Sequence, residues 1–185
     1  MAQTPSTMLP LGTPAPDFSL PDPVSGQRIG LQALRGALGT VVMFICNHCP
    51  HVKHVNAELV RVAAAYTPRG FGFVAISSND AVLYPQDGPQ AMREQALAQR
   101  YPFPYLYDET QQVARAYQAA CTPDFYLFDA ALTLTYRGRL DGSTPGNGVA
   151  VSGADLRAAL EAVAAGRLPS ADQRPSLGCN IKWKR

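Results

Sequence analysis

The feature that most constrains the fold is a pair of cysteines placed between a strand pattern and a helix pattern. Residues 40–45 form a continuous β-branched and aromatic run, which is typical of a strand buried on both faces. From Pro50 onward, apolar residues recur at steps of three and four until Pro68, and this spacing indicates an amphipathic helix. The sequence Cys46-Asn47-His48-Cys49 is therefore expected where a buried strand is followed by a helix.

The remaining apolar segments continue this alternation. Strands are predicted over residues 71–77, 103–107, 125–128 and 132–136, and helices over residues 88–99, 109–118 and 154–165. Parallel strands joined by helices, followed by a hairpin and a closing helix, predict an α/β fold with one central mixed β-sheet flanked by helices. We place this domain at residues 14–166, with an N-terminal extension over 1–13 and an irregular, surface-draped or mobile tail over 167–185.

Composition argues against several classes of function. The 185 residues carry 16 basic and 14 acidic side chains, too even a balance for a phosphate-binding surface, so nucleic acid is not an expected partner. No apolar run reaches the ~18 residues of a membrane span, and the first 16 residues lack a secretory signal pattern. We therefore expect a cytoplasmic protein without a membrane partner. Its four cysteines then suggest redox or metal chemistry rather than a disulfide framework.

The two-residue spacing between Cys46 and Cys49 predicts a redox pair in this strand-to-helix context. Unpaired N–H groups and the positive dipole end at a helix start stabilise a thiolate, and His48 can add positive charge. We therefore expect Cys46 to be the attacking sulfur, with a lowered pKa and with His48 as its electrostatic activator. Cys49, one turn on, is expected to be more buried and to resolve the mixed disulfide.

A metal site is the alternative interpretation of the same segment. All three histidines of the chain, His48, His51 and His54, lie beside Cys46 and Cys49, a ligand density that resembles zinc or copper sites. His51 and His54, however, fall outside the apolar stripe of the helix, where solvent-facing polar residues are common. The prediction is therefore no metal and no other cofactor, with a metal-binding module as the alternative.

The chain also resembles the peroxiredoxin-like branch of the thioredoxin superfamily, close to redoxin-domain and thiol-specific-antioxidant proteins. The resemblance covers roughly residues 14–166 and rests on Ala15-Pro16-Asp17-Phe18, on Phe44 through Pro50, on Asp108 through Tyr117 and on Thr122-Pro123-Asp124-Phe125. It implies a thioredoxin-like fold in which a cis proline, Pro123, lies opposite the cysteine pair. It also implies that Thr122 and Pro123 bind the backbone of the substrate.

The departures from this family concern peroxide chemistry. A peroxiredoxin carries Thr three residues before its peroxidatic cysteine and Pro further upstream; with Cys49 in the peroxidatic place, these positions hold Cys46 and Val42. The Arg expected before the later strand is missing from Ala120-Cys121-Thr122-Pro123. Without these donors no peroxide-activating pocket is recognisable. We therefore predict an antioxidant thiol-disulfide oxidoreductase, with a peroxidase that has a non-standard active site as a further alternative.

Two more cysteines are candidates for the same chemistry. Cys121 lies two residues before Pro123, so the resemblance brings it near the pair, and we include it among the catalytic residues; the alternative is a small buried hydrophobic residue. Cys179 lies in the tail, where related proteins carry resolving thiols, although a lone tail thiol is more often incidental. The expected partners are a protein or small-molecule disulfide, or a peroxide, as substrate and a thiol as reductant. The oligomeric state has no signal in the sequence.

Overall fold

A computed structural model of the chain describes residues 3–185, and its centre is a five-stranded mixed sheet. In spatial order the strands are β6 (Tyr105–Tyr107), β5 (Phe71–Ser77), β4 (Gly39–Phe44), β8 (Asp124–Asp129) and β9 (Leu134–Gly138). The central strand β4 pairs in parallel with β5 and antiparallel with β8. The predicted central mixed sheet is therefore confirmed, and the prediction for residues 71–77 coincides with β5.

Helices cover both faces of the sheet, which explains why every residue of β4 is buried. The helices are α1 (Pro50–Tyr66), α2 (Pro89–Ala98), α3 (Gln112–Ala116) and α4 (Ala154–Ala164). Val41 and Met43 pack in one layer with α1, α2 and α4, whereas Val42 and Phe44 pack in the other layer with α3, because side chains alternate along a strand. None of the helices within residues 3–185 combines the length and apolar character that a membrane crossing requires.

Strands near the two ends of the chain form a second sheet, which differs from the predicted irregular tail. It consists of β1 (Gln3–Pro5), β10 (Leu177–Asn180) and β7 (Cys121–Thr122), and β10 lies in the middle with antiparallel neighbours on both sides. The prediction of an irregular tail is wrong for β10. Four residues are too few for the alternation of apolar and polar side chains that identifies a strand in a sequence. A further two-stranded sheet joins β2 (Ser19–Pro21) to β3 (Arg28–Gly30).

The second sheet brings residues from three distant parts of the chain to the carboxyl end of β4. β7 immediately precedes Pro123, and β10 pairs Cys179 with Thr122. The cysteine pair follows β4 directly, so β10 places the tail cysteine at the same edge as Cys46 and Cys49. The position of β10 is therefore the part of the fold that decides the composition of the site.

Candidate active site

Cys46 and Cys49 lie in the short turn between β4 and α1. Cys49 is the N-cap of α1, with Pro50 at the first helical position, where a missing N–H is tolerated. Its sulfur receives a hydrogen bond from the backbone N–H of Val52, one of the donors that a helix start leaves unpaired. Both cysteines are buried, with Cys46 2% exposed and Cys49 fully enclosed. The expectation that Cys49 is the more buried sulfur agrees with this geometry.

The loop before β8 packs directly against both sulfurs. The Thr122–Pro123 peptide bond is cis, as the resemblance implied for Pro123. The Thr122 hydroxyl oxygen lies 3.4 Å from the Cys46 sulfur, and the Thr122 carbonyl oxygen lies 3.2 Å from the Cys49 sulfur. Thr122 therefore contacts the two thiols through different atoms and holds them on one side of the loop.

Cys179 supplies a third sulfur to this site. Its Sγ atom lies 2.9 Å from the Sγ atom of Cys49, and only 4% of the residue is exposed. Cys179 is absent from the predicted catalytic set, because a lone tail thiol is more often incidental. We refer to Cys46, Cys49 and Cys179 together as the trithiol site.

The hydrogen bonds of the trithiol site favour a thiolate at Cys49. Hydrogen bonding with Cys46, with Cys179 and with the backbone of Val52 lowers the pKa of Cys49 to about 4. Conversely, the hydrogen bond to Cys49, burial and the nearby Asp87 carboxylate hold the pKa of Cys46 well above its usual range. The expected ionised Cys46 is therefore corrected: the donors gather around Cys49, and a carboxylate lies beside Cys46.

Asp87 organises the turn that carries Cys46. One carboxylate oxygen accepts hydrogen bonds from the backbone N–H groups of Asn47 and His48, at 2.8 Å and 3.1 Å. The other lies 2.5 Å from Nδ1 of His48 and accepts a bond from the Asn79 amide at 2.8 Å. The side chain of Asp87 is fully buried, so these hydrogen bonds replace those that its carboxylate would make with water. His48, which also stacks on Tyr84, thus pairs with Asp87 rather than with a cysteine sulfur.

Comparison with known proteins identifies the family to which the chain belongs. The sequence model of the AhpC/TSA family matches residues 11–137, which includes the cysteine pair and the cis-proline loop. The chain belongs to the AhpC/TSA family. No functionally curated protein has a significant sequence match to it.

Two solved structures resemble this AhpC/TSA protein over nearly the whole chain. An uncharacterized conserved protein from Geobacillus kaustophilus is 55% identical, with a TM-score of 0.98 over 100% of this chain and 97% of that one. A hypothetical protein from Sinorhizobium meliloti 1021 is 45% identical, with a TM-score of 0.95 over 98% of each chain. The fold of nearly the whole chain is thus shared with these two proteins.

More distant structures establish the thioredoxin-like fold. The thioredoxin domain of a thiol-disulfide oxidoreductase from Bacteroides vulgatus is 17% identical, with a TM-score of 0.59 over 70% of this chain and 88% of that one. The peroxidoxin BcpB of Mycobacterium tuberculosis is 18% identical, with a TM-score of 0.57 over 69% and 83% of the two chains. The predicted thioredoxin-like fold and peroxiredoxin-like relationship are confirmed, and the family indicates a redox function.

The remaining predicted residues of this AhpC/TSA protein fall in different places. Cys121 is fully buried on the other side of β7, with its sulfur 3.8 Å from the Pro123 carbonyl oxygen, and burial raises its pKa. The alternation of side chains along a strand directs Thr122 toward the pair and Cys121 away from it. The structure therefore places Cys179, and not Cys121, in contact with the cysteine pair. Thr122 was also predicted to bind the backbone of the substrate. Its own backbone is instead paired with β10.

The residues that could hold a metal differ from the predicted set. Within residues 3–185, the ligand atoms of Cys46, His48 and Asp87 lie within 4.8 Å of one another, and this group includes neither His51 nor His54. Both oxygens of Asp87 already accept hydrogen bonds from buried donors, which a bound cation would displace. The geometry therefore gives the metal-binding alternative little support.

Asp87→Asn tests how this carboxylate acts on Cys46. We expect the pKa of Cys46 to fall because a negative charge beside it is removed, and the fold to lose roughly 1–3 kcal/mol because the new amide N–H group opposes the donors of His48 and Asn79. Alkylation of Cys46 as a function of pH, with peptide mass spectrometry, gives the pKa, and denaturant titration gives the stability. Asp172→Asn, which removes the same charge from an exposed side chain, is the control. An unchanged Cys46 pKa in Asp87→Asn contradicts the electrostatic role.

Proposed function

We propose that the protein is a thiol-disulfide oxidoreductase that acts by dithiol–disulfide exchange between Cys46 and Cys49. The observation that carries the proposal is that the cis-proline loop packs against both sulfurs, with the Thr122 hydroxyl 3.4 Å from Cys46 and the Thr122 carbonyl oxygen 3.2 Å from Cys49. Hydrogen bonding with Cys46 also lowers the pKa of Cys49 to about 4. A pair with one thiol and one thiolate is the state from which disulfide exchange starts. The proposed partners are a protein or small-molecule disulfide as substrate and a thiol as reductant. A cytoplasmic location is part of the proposal, since that compartment keeps thiols reduced.

Cys46 is the proposed attacking sulfur because it is the less enclosed of the pair. Its proton moves along the hydrogen bond to Cys49, and the resulting Cys46 thiolate attacks one sulfur of the substrate disulfide. A bond forms between Cys46 and that sulfur, the substrate disulfide breaks, and the other substrate sulfur leaves with the electron pair. The leaving sulfur takes the proton from Cys49, which restores the Cys49 thiolate.

Cys49 then completes the exchange. Its thiolate attacks the sulfur of Cys46, so the Cys46–Cys49 disulfide forms and the second substrate sulfur leaves and takes a proton from water. The substrate gains two electrons and the protein loses two. Two equivalents of an external thiol return the protein to its dithiol state.

His48 and Asp87 have positioning roles in this scheme. The Asp87 carboxylate disfavours negative charge on Cys46, and its hydrogen bond with Nδ1 of His48 fixes the position of that carboxylate. Asn47 fixes the same turn, since its side-chain oxygen accepts a hydrogen bond from the Tyr105 hydroxyl at 3.1 Å. These contacts support a fixed direction of approach for the Cys46 sulfur.

Reduction of insulin disulfides in the presence of dithiothreitol tests the proposal. We expect the wild-type protein to accelerate the reaction, and Cys46→Ser to give only the rate of dithiothreitol alone. Cys121→Ser is the matched control, because it also removes one buried sulfur but leaves the trithiol site intact. Equal rates for the wild type and Cys46→Ser would overturn the proposal.

Peroxidase activity is a second candidate, favoured by the lowered pKa of Cys49 at the place that resembles the peroxidatic position of the family. A Cys49 thiolate would attack the peroxide, forming a sulfenic acid and releasing water or an alcohol, and a second thiol would then condense with it. Hydrogen peroxide consumption by the reduced protein separates the two candidates. Loss of turnover in Cys49→Ser with retention in Cys46→Ser supports the peroxidase and argues against exchange at Cys46.

A further inference from the structure

Cys49 contacts both other sulfurs of the trithiol site, and this arrangement offers it two partners. The Cys179 sulfur lies 2.9 Å from the Cys49 sulfur, and hydrogen bonding with Cys46 lowers the pKa of Cys49. A disulfide bond is about 2.05 Å long, so less than about 1 Å of movement separates the Cys49–Cys179 contact from a bond. The sulfur of Cys121 makes no such contact among residues 3–185.

The backbone holds Cys179 in this position from both sides. Cys179 pairs with Gln3 of β1 on one edge and with Thr122 of β7 on the other. The segment beyond β10 is also attached, since the Ile181 N–H donates to the Ala120 carbonyl at 3.0 Å and the Lys182 N–H donates to the Asn79 side chain at 2.8 Å. The contact with Cys49 is therefore a feature of a paired strand rather than of a loose terminus.

We propose that Cys179 is a third redox residue, and that Cys49 exchanges its disulfide partner between Cys46 and Cys179. The inference rests on the proposed dithiol exchange, which first produces the Cys46–Cys49 disulfide. The Cys179 sulfur then attacks Cys49, so that the Cys49–Cys179 bond forms and the Cys46–Cys49 bond breaks. The electron pair leaves on Cys46, which takes up the proton that Cys179 gives up. The protein remains oxidised by two electrons throughout.

The acidities of the three thiols suit such an exchange. Burial and the hydrogen bond to Cys49 raise the pKa of Cys179 to about 12, and the pKa of Cys46 is also raised. The step therefore replaces one protonated thiol by another, and ionisation gives neither disulfide a large advantage. Both disulfides are then expected in the oxidised wild-type protein.

With this exchange, the substrate would react with one sulfur of the site and the reductant would react with another. In a Cys49–Cys179 disulfide, an incoming thiolate is expected to attack Cys179, because Cys49 has the lower pKa and is the better leaving group. Cys46 lies beside Asp87, whereas Cys179 lies between β1 and β7. Substrate and reductant would thus react at opposite ends of the trithiol site.

Oxidation of the Cys46→Ser variant tests the inference directly. The reduced variant is treated with oxidised glutathione, free thiols are blocked with N-ethylmaleimide, and the peptides are mapped by mass spectrometry without reduction. We expect the loss of two thiols per chain, a peptide that links Cys49 to Cys179 and the release of two glutathione molecules. A persistent glutathione adduct on Cys49, or a link from Cys49 to Cys121, overturns the inference.

Two matched variants separate this inference from the proposed function. Adding Cys179→Ser to Cys46→Ser is expected to leave the glutathione adduct on Cys49, whereas adding Cys121→Ser is expected to leave the Cys49–Cys179 link intact. Circular dichroism of each variant confirms that the fold is retained. If the wild type forms a Cys46–Cys49 disulfide and reduces insulin while Cys46→Ser forms no internal disulfide, only the inference fails. If the wild type forms neither disulfide, the proposed function fails as well.

Discussion

Cys49→Ser is expected to remove the ionised sulfur of the reduced protein and with it the turnover of disulfides. The pKa of Cys49 is about 4, so its sulfur is a thiolate at neutral pH. A thiol with an ordinary pKa near 8.5 is only about 3% ionised at pH 7, and burial and Asp87 raise the pKa of the remaining Cys46, so the variant contains at least roughly thirtyfold less thiolate. The variant also lacks the sulfur that resolves the intermediate on Cys46. Turnover should therefore stop, and a mixed disulfide should accumulate on Cys46.

Absorbance of the thiolate near 240 nm measures this ionisation. In the wild type we expect the absorbance to persist as the pH falls and to be lost with a midpoint near 4; in Cys49→Ser that transition should be absent. Cys121→Ser, with its buried and protonated thiol removed, should keep the wild-type midpoint. A low-pH transition that survives in Cys49→Ser but disappears in Cys46→Ser would instead assign the charge to Cys46.

The same ionisation makes the stability of the reduced protein depend on pH. The pKa of Cys49 is lower in the folded than in the unfolded chain, so between about pH 4 and about pH 8.5 the unfolded chain binds more protons at this residue. The contribution of Cys49 to the free energy of unfolding is therefore complete above the unfolded pKa and is lost as the pH falls toward 4. Cys49→Ser should lack this contribution in denaturant titrations.

Gly178→Ala is expected to detach β10 from β7 and to disrupt the trithiol site. A Cβ atom at residue 178 would lie 2.0 Å from the Thr122 carbonyl oxygen and 2.6 Å from its carbonyl carbon, and both are backbone atoms that cannot rotate away. Forced overpacking typically costs about 1–3 kcal/mol. If this energy favours local opening of β10, the open population rises roughly fivefold to 150-fold. Alkylation of Cys179 should accelerate by a similar factor.

Gly142→Ala is the matched control, because its Cβ would lie 3.7 Å from the nearest atom, in the flexible side chain of Arg139. Its alkylation pattern should equal that of the wild type. The displaced strand in Gly178→Ala should also raise the pKa of Cys49, since hydrogen bonding with Cys179 helps to lower it. Unchanged alkylation of Cys179 in Gly178→Ala would show that β10 can shift without leaving the site.

The main sheet and the cysteine pair follow from local patterns. The apolar run at residues 40–45 indicated a doubly buried strand, because a strand covered on both faces requires apolar side chains in both directions. The structure places β4 there, at the centre of the sheet. The helix after Pro50 was predicted for a similar reason, since residues such as Val55 and Leu59 recur on one face and pack in the core. The cis bond before Pro123 needed the family resemblance, because most X-Pro bonds are trans.

The sequence by itself determined the fold class and the strand-to-helix position of Cys46 and Cys49, and it predicted a redox pair there. These features depend on side-chain periodicity and on spacing, which are local properties of the chain. Only the tertiary structure decided that Cys179, and not Cys121, joins the pair, and that the donors favour a thiolate at Cys49. The reason is that β10 pairs with strands far away in sequence, and hydrogen bonds between such segments leave no pattern in either one.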